Sequence, residues 1–103
     1  MHEPPVIVNN TPLVALWALD KLALLDDLYS TVWIPPAVEL EFLATDTSAR
    51  QQALSQASWI QTVKLQDARH ALAYVGLGLG EAEVLALAVE HDARLVYTWI
   101  RRS

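Results

Sequence analysis

The chain has 103 residues, 53% of them hydrophobic and 18% charged, and no cysteine. That length supports one domain, here spanning residues 1–103, and the apolar share is too high for a disordered chain. Without cysteine, disulfide scaffolds, thiol nucleophiles and Cys-based zinc or iron–sulfur sites are excluded. Twelve acids against seven bases leave a net charge of −5, so binding to nucleic acid through a basic stripe is excluded as well. An enzyme that meets nucleic acid through a carboxylate-held metal is not.

The elements follow in chain order. Val6-Ile7-Val8, bounded by Pro5 and Asn9, reads as a short buried strand. Pro12 suits the first turn of a helix. Lys21 to Tyr29 reads as a second helix with Leu22, Leu25 and Leu28 on one stripe. Thr31 to Ile34 is another strand, stopped by Pro35-Pro36, and Pro36 opens a helix to about Leu43. Thr47 to Gln56 is a polar helix, Trp59 to Val63 a third strand, and Asp67 to Tyr74 a helix broken by Gly76, Gly78 and Gly80. Glu81 to His91 is the clearest helix and Arg94 to Tyr97 the last strand. Trp17, Trp33 and Trp59 sit in apolar runs and read as core. The apolar run Leu13–Leu19 is closed by Pro12 and Asp20, well short of the roughly 20 residues of a membrane span. The amino end lacks the pattern of a secretion signal, so the expected location is cytoplasmic.

Alternating strands and helices predict a parallel sheet with helices on its faces. Ligands of such sheets bind beyond the carboxyl ends of the strands, where the strand order reverses. The residues to weigh are therefore Asn9-Asn10-Thr11, Pro35 onward, and Thr98-Trp99. In the Glu81–His91 helix, Val84, Leu85, Leu87, Ala88 and Val89 share one face, with Glu81 near its middle. A carboxylate there either caps the helix and leans into water or serves as a metal ligand or general base. Glu83 falls on the opposite side with Glu90 and reads as part of a solvated face. Val75 to Gly80 imitates a phosphate loop, but two acids stand where a phosphate would sit; the glycines read as a turn that permits close approach. Asn9-Asn10-Thr11 serves either as turn and cap or as oxygen ligands to a hard cation. Periodicity does not settle which of Glu39 and Glu41 faces inward, although the spacing to Phe42 and Leu43 favours Glu39. His2, His70 and His91 have neither zinc nor dyad spacing.

Val6 to Leu16 (VIVNNTPLVAL) resembles the opening of PIN domains, nucleases named after the type IV pilus N-terminal domain, and more narrowly a bacterial branch related to toxins of the virulence-associated protein C type. The likeness continues through Leu22-Ala23-Leu24-Leu25, Ile34-Pro35-Pro36-Ala37-Val38 with Glu41, Trp59-Ile60, Leu77 to Glu83 and Leu95-Val96-Tyr97-Thr98. The resemblance implies a three-layer α/β fold around a parallel sheet and an acidic cluster that binds Mg²⁺ or Mn²⁺ to hydrolyse RNA phosphodiesters. It implies Asn9 at the position of the first acid, Glu41 at the second and Glu81 or Glu83 at the third, hence Asn9, Glu41 and Glu81 as catalytic residues and Asn9, Glu41, Glu81 and Glu83 as those available to hold the metal. A fourth acid is expected after Thr98. The chain departs from the pattern in three places: Asn9 is neutral where Asp is usual, Trp99-Ile100 replaces an acidic pair, and the chain ends at Ser103 where the family continues. The expectation is a C-terminus shortened relative to the family.

Two functions compete. The first is a metal-dependent ribonuclease, the toxin of a toxin–antitoxin pair, with RNA as substrate and an antitoxin protein as partner; a homodimer is expected above all of the second. The alternative is a non-catalytic PIN-like module that binds protein or nucleic acid, which the substituted acids favour. A response-regulator-like domain is the third class, but Asn9 and Gln66-Asp67 do not supply its acidic pocket.

Overall fold

The computed structural model describes residues 5–29 and 31–96. Val6–Val8 forms β1, and all of its side chains are buried. A strand covered on both faces requires a continuous apolar run, which is why this short β-branched stretch suffices. β1 is central in a four-stranded parallel sheet of order β3-β2-β1-β4, with β2 at Val32–Ile34, β3 at Ile60–Thr62 and β4 at Arg94–Val96. Val6 lies opposite Val32 on one side and Arg94 on the other, and Ile34 lies opposite Thr62. At the edge, β3 exposes Gln61 and Thr62, polar residues that suit a strand open to water on one side. The expected parallel α/β architecture is the observed one.

Helices α1 (Asn10–Ala18), α2 (Ala23–Leu28), α3 (Pro36–Leu43), α4 (Thr47–Gln56) and α5 (Leu79–His91) flank the sheet. Phe42, Ile7, Leu13, Ile34, Leu87 and Val84 are fully buried between them. Trp17, Trp33 and Trp59 pack against this core while staying partly exposed, so they form its margin and not its centre. No residue of α4 is buried. Leu54 packs on the core while partly exposed, and Arg50 adds an anchor: the guanidinium lies 4.7 Å from the Trp17 ring centre and 5.1 Å from that of Phe42, and Nη1 donates to the Phe42 carbonyl at 3.0 Å. Among the described residues, no helix is long and apolar enough to cross a membrane.

The helical stretch expected over Asp67 to Tyr74 is a 3-10 helix at Ala68–Ala73; Asp67 caps it by accepting the Arg69 N–H at 2.9 Å, and that local bond competes with regular α-helix. Three expectations need correction. The second helix is shorter than Lys21–Tyr29, and Leu28 is 61% exposed while Leu25 is buried. The predicted apolar face of α5 is rotated: Ala82, Val84, Ala86, Leu87 and Ala88 are buried, but Val89 is 72% exposed. Finally, the Glu83/Glu90 side of α5 is not a solvated face. α5 packs on the sheet and also against α3 and the Ala68–Ala73 turn, so polar positions on its flanks meet protein.

Candidate functional site

Topology brings three helix N-termini to the carboxyl edge of the sheet. α1 and α3 start directly after β1 and β2, and α5 must start there because it feeds β4 at the opposite edge. Helix N-termini carry unpaired N–H groups and partial positive charge, so this edge favours carboxylates and anions. The strand order reverses around β1, with β2 on one side and β4 on the other. Asn9 stands at that reversal, where parallel α/β sheets place their ligands.

Asn9 is 6% exposed, a polar side chain in the buried set. It caps α1: its Oδ1 accepts the Asn10 N–H at 2.9 Å. Asn10 Oδ1 is buried and has no hydrogen-bond partner, although its residue is only half-buried. Such an orphaned acceptor is uncommon and belongs chemically with a hard cation, its waters or a donor from a ligand.

Glu41 and the start of α5 meet through a glycine. A Cβ at Gly80 would stand 2.9 Å from the Glu41 carboxyl carbon, and its three nearest heavy atoms would all belong to that carboxylate. The buried Gly80 thus opens the space in which the Glu41 carboxylate rests on α5, although Glu41 as a whole is exposed. The close approach expected of the glycines is realised here, by a side chain. Glu81 occupies the third position of α5, and its Oε1 folds back to 3.9 Å from where a Cβ at Gly78 would be. Glu41 and Glu81 therefore flank the same short Gly78–Gly80 backbone. Glu83 reaches α3: its Oε1 accepts the Ala37 N–H at 3.0 Å. The N-cap of α3 is Pro35, which has no capping side chain, and Glu83 supplies from another helix the acceptor that α3 lacks. Glu39, which the spacing favoured, is half-buried on α3; the acid that meets α5 is Glu41.

The four selected residues thus lie on elements that start at, or pack beside, the same edge. They do not form a closed acidic cage: among the described residues, no three His, Cys, Asp or Glu side chains are placed to hold one ion. The position after Thr98, where a fourth acid was expected, lies outside the described residues, as do His2 and Arg101-Arg102.

Sequence reading missed the contacts of the third acid on α5, Glu90. The Glu90 side chain is only 3% exposed and collects donors from the segment before the 3-10 turn: the Gln66 N–H at 2.8 Å, the Asp67 N–H at 3.2 Å and His70 Nδ1 at 2.6 Å. Burial opposes its charge, but these donors outweigh it and hold the carboxyl below its ordinary range. Asp67 is likewise held low, by its side-chain bond with Arg69 and by the Arg69 N–H. The signal for Glu90 was weak. His70 and Glu90 are 20 residues apart in sequence, and no periodicity links them.

A small parallel sheet with crossover helices, its polar residues gathered past the carboxyl ends around a strand-order reversal, defines an α/β domain of the type that works at that edge. A PIN-domain family model matches residues 5–98, and the chain belongs to that family. No curated protein and no solved structure matches it.

Proposed function

We propose that this PIN domain is a metal-dependent ribonuclease that hydrolyses RNA phosphodiesters, with Glu41, Glu81 and Glu83 holding Mg²⁺ or Mn²⁺ and Asn9 orienting a bound water. Membership of the PIN family makes a nuclease role the natural one for this fold. The observation that carries the proposal is the seating of the Glu41 carboxylate on Gly80 beside Glu81. Two acids from separate helices share one short stretch of backbone at the edge where ligands of such sheets bind. The donor set is all oxygen, which suits Mg²⁺ or Mn²⁺ over zinc. Mg²⁺ keeps several waters and takes one or two carboxylates, so a pair with Glu83 nearby is enough. The orphaned Asn10 Oδ1 adds an acceptor of the same kind.

When bound, the divalent ion supplies charge neutralisation at the phosphoryl oxygens and a lower pKa for the attacking water. The rest falls to the chain. Glu41 and Glu81 bind through carboxylate oxygens. Glu83 contributes its second oxygen, the first being engaged with Ala37 N–H. Asn9, with its carbonyl oxygen engaged by Asn10 N–H, presents amide N–H donors suited to orienting a water or a phosphate oxygen. The helix N-termini behind these groups offset the gathered negative charge. A toxin role with a protein antitoxin, a homodimer, and the branch related to virulence-associated protein C type toxins belong to the same proposal.

The test is cleavage of several RNAs by the purified chain with Mn²⁺ or Mg²⁺, comparing wild type with Glu81→Gln. The expected result is metal-dependent cleavage that Glu81→Gln abolishes while the denaturation midpoint stays put. Absence of cleavage by wild type, or full activity in Glu81→Gln, overturns the proposal. The second reading, a non-catalytic binding module, is favoured by the lack of any three acids placed for one ion among the described residues. It expects no metal affinity, and a calorimetric Mn²⁺ titration decides between the two.

A further inference from the structure

A chain with net charge −5 that handles RNA must still meet phosphate with a cation. Lys21, Arg50, Lys64 and Arg69 are the lysines and arginines whose side chains are described. Arg50 is stacked on Trp17 and Phe42. Arg69 is paired with Asp67 at 2.8 Å. Lys21 follows α1, which has carried the chain back from the carboxyl edge. Lys64 differs from all three. It lies two residues past the end of β3 and so sits at the carboxyl edge, it is exposed, and it has no ion-pair partner among the described residues.

Lys64 also lines a hollow of about 230 Å³, with Pro36, Leu65, Ala68 and Glu83. Glu83, one of the acids of the proposed centre, thus lines this hollow as well. Pro36, Leu65 and Ala68 give an apolar floor and Lys64 a charge at the rim. The volume is below the roughly 300–1,000 Å³ of sites for drug-sized ligands, so it takes a single nucleotide unit and not a folded partner. Two further hollows of about 400 Å³ each lie elsewhere, one between Trp17, Leu22 and Trp59, the other beside His70, Tyr74 and Val89. Neither includes an acid of the proposed centre.

We infer that the Lys64 hollow is the subsite for the nucleotide next to the scissile phosphate of single-stranded RNA, with Lys64 Nζ paired to the backbone phosphate and the base or ribose laid on Pro36 and Leu65. This rests on the ribonuclease reading. A single ammonium on a flexible stem binds phosphate as a point charge and reads no sequence, so the subsite positions the strand without selecting it.

The experiment measures fluorescence anisotropy of a labelled, unstructured oligoribonucleotide with EDTA present, so that nothing is cleaved, over a salt series. Wild type, Lys64→Ala, Lys64→Glu and Lys21→Glu are compared, with Mn²⁺-dependent cleavage run in parallel. Loss of Lys64 weakens RNA binding about tenfold and lowers the slope of log K against log salt by about one; Lys21→Glu leaves both unchanged. In cleavage, Lys64→Ala raises KM and leaves kcat near wild type. Equal effects from Lys64→Glu and Lys21→Glu, no effect from either, or no RNA binding by wild type overturns the subsite. Lys64-dependent binding without cleavage keeps the subsite and removes the nuclease; cleavage with KM indifferent to Lys64 does the reverse.

Discussion

Gly80→Ala separates the stability of the fold from the integrity of the proposed centre. The added methyl would lie 2.9 Å from the Glu41 carboxyl carbon, and the nearest atoms it meets all belong to that carboxylate. Glu41 is exposed, so its carboxylate can swing into water at little cost. Replacing glycine by alanine within a helix gains roughly 0.5–1 kcal/mol, and the first-turn position of Gly80 puts the gain near the lower end. The variant should therefore be as stable as wild type or more stable by about 0.5 kcal/mol in urea denaturation. Its Mn²⁺-dependent RNA cleavage should fall on the order of 100-fold, because an ångström-scale displacement of a catalytic group has that effect. In a Glu41→Ala background the same substitution should stabilise by more, and the difference measures the Gly80–Glu41 coupling. A loss of more than about 2 kcal/mol would mean that the backbone, not a mobile carboxylate, fills the space. Unchanged activity would mean that Glu41 is not poised where it rests.

Three further outcomes follow from named contacts. Glu90→Ala leaves the Gln66 and Asp67 N–H groups without their acceptor and should destabilise by about 3 kcal/mol, read as a lower denaturation midpoint and faster amide exchange across 66–74. Because the folded-state pKa of Glu90 is lowered from its ordinary 4.5, wild type holds this contribution in full above that value and loses it as pH falls through the lowered one; Glu90→Gln should flatten that acid limb. Arg50→Ala should cost about 2 kcal/mol and increase exchange in α4 first, since no residue of that helix is fully buried and Leu54 packs on the core only in part. Asn10→Ala removes a buried acceptor that has no partner, so stability without metal should hold or rise by up to about 1 kcal/mol, while the Mn²⁺-induced increase in Tm shrinks.

The scaffold was legible because its strands carry their own signal. Val6-Ile7-Val8 and Val32-Trp33-Ile34 are apolar runs fenced by proline and asparagine, and each became a strand of the parallel sheet. Pro36 and Leu43 bounded α3 as expected. What failed were inferences that treat a helix as having one partner. α5 has several, so Val89 fell outside the contact while Glu83 and Glu90 fell inside it. Periodicity did not decide between Glu39 and Glu41; the spacing leaned to Glu39, which is the more buried of the two, but burial was the wrong criterion for the site. The relevant acid is the one facing a missing Cβ on another helix, and only the family resemblance pointed to Glu41. The Glu90–His70 contact joins segments distant in sequence, and nothing local announces it.

The neutral residue after β1 is the feature most opposed to a nuclease, and the geometry changes its meaning. An aspartate at position 9 could cap α1 with one oxygen and bind a cation with the other. Asn9 has a single side-chain oxygen, which already accepts the Asn10 N–H; its second lone pair can still meet a cation but brings no charge, and the rest of the amide is a donor. The orphaned oxygen at this edge is one residue on, at Asn10. If the edge serves a divalent ion, its charge must come from Glu41, Glu81 and Glu83, with the helix N-termini limiting their mutual repulsion, and the asparagines act on waters and phosphate oxygens. Such a centre carries less negative charge than one with an aspartate at position 9 and binds its metal more weakly. The shared phosphate of the substrate then contributes a larger part of the ligation, which couples metal binding to RNA binding. Mn²⁺ affinity should accordingly rise when RNA is present, and RNA affinity should rise with Mn²⁺ by the same factor. A binding module without a metal centre shows neither.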